Sequence, residues 1–83
     1  MSIVIYDNGG KSADRYTVFP NAHSRDVLER RVYLGIAEGG RGFSQWGQLP
    51  VNMPRGRHLG KIVKLADLSE DTQRHIAARL AKQ

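Results

Sequence analysis

Phe43 and Trp46 stand at the head of a stretch, Arg41 to Lys64, that carries Arg41, Arg55, Arg57, Lys61, Lys64 and His58 and no carboxylate at all. Cations interleaved with aromatic rings suit single-stranded nucleic acid, with phosphates held by Arg or Lys and bases stacked on the rings. Arg41, Phe43, Gln45, Trp46, Arg55, Arg57 and Lys61 are therefore the expected contact surface for a macromolecule, nucleic acid being the one this pattern favours. The same residues have a plainer reading, in which the cations form a solvated face and the two aromatics turn inward to cover a small core. Counting by halves locates the charge. Residues 1–40 set five Lys/Arg against five Asp/Glu, and residues 41–83 set eight against three, so the whole formal charge of +5 lies in the second half.

Other chemistries find less support. His23, His58 and His75 are widely spaced, with no second histidine or carboxylate at a metal-ligand spacing, so no metal or cofactor is expected. Asp7-Asn8-Gly9-Gly10 with Asp14 has the opening of a calcium loop without the alternating oxygen ligands and distal glutamate such a loop needs, and a turn is the expected role. Gly39, Gly40 and Gly42 could offer N–H groups to phosphate, but no Gly-Lys-Ser/Thr follows. That leaves a small phosphorylated ligand, such as a nucleotide, as the alternative to a macromolecule. Ser12, Ser24 and Ser44 lack a nucleophile elbow. Asp7 and Asp14 could meet across a hairpin loop as an acid–base pair, although capping loop N–H groups or pairing with Arg15 is the more economical use of both. The protein is expected not to be an enzyme.

The elements that must position these residues are short. Ser2 to Asp7 is β-branched and aromatic and stops at Asn8-Gly9-Gly10, and Arg15 to Phe19 resumes the pattern up to Pro20, which predicts an antiparallel hairpin over about 2–19 with a long connection. Alternation separates Tyr16 and Val18 from Arg15, Thr17 and Phe19 and leaves the core face open. Between Val27 and Ala37 the signals conflict. Ser24 and Asp26 could open a helix, whereas Val32, Tyr33, Leu34 and Ile36 favour a strand, taken here as about 31–37.

From about 38 to 60, glycine and proline recur so often that no regular element beyond a turn or two is expected, and a loop that long in a small domain usually has a task. Lys61 to Leu65 reads as a further strand. Ser69 then caps a helix over about 70–81, with Glu70 and Asp71 at its positive end. Ile76 and Leu80, with Ala77 and Ala81 beside them, form its apolar stripe, and Arg74, His75, Arg79 and Lys82 face water.

Eighty-three residues with 40% hydrophobic and 25% charged composition fit one small folded domain over 1–83. Without cysteine there is no disulfide or thiolate metal site to supplement a modest core. No apolar run approaches the roughly 18 residues that span a bilayer, and no secretory signal opens the chain, so a cytoplasmic protein without membrane contact is expected. The fold expected is α+β: an antiparallel sheet of three to four strands with one C-terminal helix on one face. An open edge at the short, apolar first strand makes a homodimer through that edge possible.

Taken together, Tyr6-Asp7-Asn8-Gly9-Gly10, Asp14-Arg15-Tyr16-Thr17-Val18, Tyr33-Leu34-Gly35, Gly42-Phe43-Ser44-Gln45, Leu59-Gly60-Lys61 and Leu68 resemble a group of short proteins of bacteriophages, prophages and related mobile elements. The chain departs from that pattern in having Ser69 where a proline is typical, and in lacking a longer polar insert before Gly42. The resemblance brings no activity with it. It implies a mobile-element setting, in the host cytoplasm, a host protein as the partner that rivals nucleic acid, and a joint role for the Asp7–Gly10 and Asp14–Thr17 segments, either locking the hairpin or forming a contact surface.

Overall fold

The computed structural model describes residues 3–40, 44–50 and 52–81. Its centre is a five-stranded antiparallel sheet. β1 (Val4–Asp7), β2 (Tyr16–Phe19), β3 (Val32–Ile36) and β4 (Gln45–Gln48) form a meander, and β5 (Lys61–Val63) returns to the free side of β1, giving the order β4-β3-β2-β1-β5. A short helix, α1 (Val27–Arg31), leads directly into β3, and α2 (Glu70–Leu80) follows β5. The α+β class, the N-terminal hairpin and the C-terminal helix are as the sequence predicts.

Alternation in the strands resolves into two covered faces. Ile5 pairs with Val18, which pairs with Leu34, and Tyr16 pairs with Ile36. These side chains share one face and pack around Ile76 of α2, with Val63, Leu65, Leu68 and Leu80 at the margin. Tyr6 and Phe19 lie on the opposite face with Ala22 and Leu49, flanked by Val4, Tyr33 and Leu59. The ring of Phe19 meets Tyr6 edge-on, with centroids 5.8 Å apart, and Tyr33 at 6.0 Å. Among the described residues neither α1 nor α2 contributes to the second core. Leu49 and Leu59, from the middle and the end of the Gly/Pro-rich segment, close it instead.

Three sequence expectations change. The sheet has five strands, because β4 forms inside the stretch expected to hold no regular element beyond a turn or two. Residues 45–48 contain no proline, so they can take up the hydrogen bonds offered by the outer side of β3, pairing Leu34 with Trp46 and Tyr33 with Gly47. β1 is consequently interior, bonded on both sides by β2 and β5, and the edges are β4 and β5. The conflict over residues 27–37 ends with both elements present: the Asp26 carboxylate accepts from Leu28 N at 2.9 Å and starts α1, and the β-branched run takes over at Val32.

Helix α2 is entered as predicted, with Ser69 Oγ accepting from Thr72 N. Its buried stripe, however, runs through Thr72 and Ile76, with Leu80 half-buried, and Ala77 is exposed. His75 and Arg79 are half-buried, and His75 Nε2 lies 3.3 Å from Ser44 Oγ. Thr72 Oγ1 accepts from Gly39 N at 2.7 Å, tying the helix entry to the turn that follows β3. None of the helices among the described residues is long and apolar enough to cross a membrane.

Candidate functional site

The basic stretch is continuous in sequence and divided in space. Gln45 and Trp46 are exposed on β4, one edge of the sheet, and Lys61 is exposed on β5, the other edge. Four strand spacings separate them, roughly 19 Å. Arg57 is exposed in a short turn, Arg57–Leu59, whose Leu59 closes the second core. Arg41 and Phe43 lie outside the described residues. The expected surface is thus not one patch.

Trp46 pairs with Leu34, so it lies on the α2 face of the sheet, and it retains 36% exposure. It is neither a core residue nor a fully free ring. Its neighbour Gly47 is crossed by Tyr33: a Cβ there would stand 2.6 Å from the Tyr33 ring, so glycine is what allows that ring to reach over β4.

Arg55 has a second task. Its guanidinium stands 5.5 Å from the centroid of the Phe19 ring and donates to Ala22 O at 3.3 Å. It therefore covers the second core as well as carrying charge.

The structure brings Arg55 together with two arginines that the sequence reading passed over. Arg30 and Arg31, at the end of α1, line the same hollow as Arg55, about 300 Å³ in volume, whose remaining wall includes Asn52, Leu49, Met53 and Pro54. The hollow sits at the C-terminal end of β4, where Leu49 N donates to Arg31 O at 3.0 Å and Gln48 Nε2 donates to Leu28 O at 3.2 Å. Among the described residues no carboxylate lines it. The acids of α1 are occupied locally, Asp26 as the helix cap and Glu29 accepting from Ser24 Oγ at 2.8 Å. Trp46 is three residues along the chain from Leu49, about 10 Å at the strand rise. Arg30 and Arg31 belong to the charge-balanced first half of the chain. The overlooked signal was their adjacency just after a cap residue, which sets both at the end of a one-turn helix.

The Asp7–Gly10 and Asp14–Thr17 segments form a single hydrogen-bonded unit. Asp7 Oδ1 accepts from Gly9 N at 2.8 Å and from Arg15 Nε at 2.8 Å, and Asp7 Oδ2 accepts from Arg15 at 3.2 Å. Asn8 bonds across the loop to Ser12 Oγ and to Asp14 O. Arg15 continues to Glu38 Oε2 at 2.8 Å. The Arg15 guanidinium holds the Asp7 carboxyl below its ordinary range against an opposing effect of burial, and the Gly9 N–H adds to the lowering. Asp7 in return raises Arg15, and burial raises Tyr16. A carboxylate so committed to a guanidinium is a poor proton carrier near neutrality. Asp14 turns instead toward Gly35, whose missing side chain leaves it room.

Among the described residues no group of three His, Asp or Glu side chains comes together to hold a metal ion. Gly39 N, a phosphate donor in prospect, is taken by Thr72. No family model matches the sequence, and neither a curated protein nor a solved structure matches it.

Proposed function

We propose that this is a non-enzymatic accessory protein that works by binding single-stranded nucleic acid, in the mobile-element setting that the sequence resemblance implies. The observation that carries the reading is that Arg30, Arg31 and Arg55 line one hollow with no carboxylate among its described lining residues, beside the end of β4. Arginines lining one concave surface attract phosphate, and because the Trp46 indole lies on the other face of the sheet, a single strand that also stacks on it would pass over the β4 edge. Arg57 extends the positive field nearby in sequence, and Lys61 acts at long range from the opposite edge.

The test is titration of a single-stranded oligonucleotide against the protein and against Arg30→Glu, read by Trp46 fluorescence with an independent mobility-shift assay. Saturable binding that weakens with salt, and weakens again in the variant, is the expected result. Absence of binding to the unmodified protein in both assays overturns the reading.

A second reading, binding of a host protein, is favoured by a different observation. Gln45, Trp46 and Gln48 are exposed on an uncharged edge strand, and such an edge can accept an added strand from a partner. Charge reversal at Arg30 with Arg57 separates the two: it weakens nucleic acid roughly uniformly across sequences and leaves strand addition at β4 unchanged.

A further inference from the structure

We infer that the arginine hollow is a site for a phosphomonoester carried on a nucleoside, which is the chemistry of a phosphorylated strand end and of a free nucleoside monophosphate. The strand-end half of this rests on the nucleic-acid reading above, and the mononucleotide half does not.

The shape comes first. A volume of about 300 Å³ lies at the lower end of small-ligand pockets, which hold single ligands and exclude a duplex. Lys61 does not continue the hollow as a track, because it is at the far sheet edge. The positive charge is thus concentrated at one point, where an internal phosphodiester brings about one negative charge and a terminal phosphomonoester about 1.5 to 2. Arg30 and Arg55 by themselves match the second better.

The walls agree with the remainder of such a ligand. Met53, 43% exposed, Pro54 and Leu49 also line the hollow and supply apolar surface that a sugar and a base would cover. Asn52 adds an amide, both donor and acceptor, for a base edge or a sugar hydroxyl. Arg55 is pre-positioned by Phe19 and Ala22, and a guanidinium has five donors, so the bond to Ala22 leaves others for phosphate. Arg30 is exposed, and its substitution leaves both cores untouched.

The experiment uses the full chain and four probes: one oligonucleotide sequence bearing a 5′-phosphate, a 3′-phosphate or neither, and a nucleoside 5′-monophosphate. The expected result is that a phosphorylated end binds about tenfold more tightly than the hydroxyl-ended strand, that the monophosphate competes with it, and that Arg30→Glu abolishes the difference with an unchanged circular dichroism spectrum. The preferred end, 5′ or 3′, identifies the source. Equal affinity for all three strands, with no binding of the monophosphate, overturns the site and leaves the nucleic-acid reading standing. Saturable monophosphate binding lost in Arg30→Glu, with no strand bound, supports the site and overturns the nucleic-acid reading.

Discussion

Arg15 Nε stands 2.8 Å from Asp7 Oδ1 and joins the two arms of the N-terminal hairpin at its loop, with Asp7 buried and the arginine reaching on to Glu38. One cation thereby fastens β1, β2 and the turn after β3. A joint role for the Asp7–Gly10 and Asp14–Thr17 segments has its physical basis here: Asn8 and Asp7 accept the loop's backbone N–H groups, and Arg15 closes the ring.

That pair sets an acid limit on stability. Asp7 has a folded pKa below its ordinary 3.8, so the unfolded chain binds the proton more readily and the stabilisation is complete above about pH 4. It is lost as pH falls below 3.8 through the lower, folded value. Asp7→Asn is expected to lower stability at pH 7 by on the order of 1 kcal/mol, discounted for the exposed side of Arg15, and to flatten the loss between pH 5 and pH 2. Urea unfolding across that range checks it.

Gly60 admits no side chain. Its φ is 105°, and a Cβ would lie 2.1 Å from Asp7 O, so the start of β5 passes against the end of β1 only because nothing projects there. Gly60→Ala is expected to cost at least about 2 kcal/mol through strain and displaced pairing of β5. Thermal unfolding measures it, and a change within 0.5 °C of the parent contradicts the close approach.

Thr72 is fully buried, and its hydroxyl accepts from Gly39 N while lying 2.8 Å from Ser69 Oγ. Thr72→Val keeps the shape and strands the Gly39 N–H, for an expected loss of about 1–3 kcal/mol, whereas Thr72→Ser retains most of the stability. The comparison is made by chemical denaturation of both variants.

The arginines of the hollow divide by role. Arg55→Ala removes the cover over Phe19 and the bond to Ala22 and is expected to destabilise by about 1 kcal/mol or more; Arg30→Ala is expected to fall within about 0.5 kcal/mol of the parent. Melting temperatures of the two variants decide whether the division holds.

Local signals were enough for the hairpin, for the Ser69 cap and for the end of the chain as a helix, because caps, turns and β-branched runs act over a few residues. β4 was hidden because Gln45-Trp46-Gly47-Gln48 has little strand character of its own and is held by the free edge of β3, a partner far away in sequence. The second core was hidden for a similar reason: Tyr6, Phe19 with Ala22, Leu49 and Leu59 come from four separate segments. At the candidate site, the stretch from Arg41 to Lys64 announced its charge, but tertiary folding sends Lys61 to one edge and Trp46 to the other. Arg55 is joined by Arg30 and Arg31, whose contribution depends on where α1 ends.

The most direct measurement is the salt dependence of single-stranded oligonucleotide binding for the unmodified protein and for Arg30→Glu. Nucleic-acid binding at the arginine hollow predicts a linear fall of log affinity with log salt, with a slope shallower by about 0.7 in the variant for each phosphate contact removed. Identical slopes and affinities for the two proteins, or no binding at low salt, contradict it.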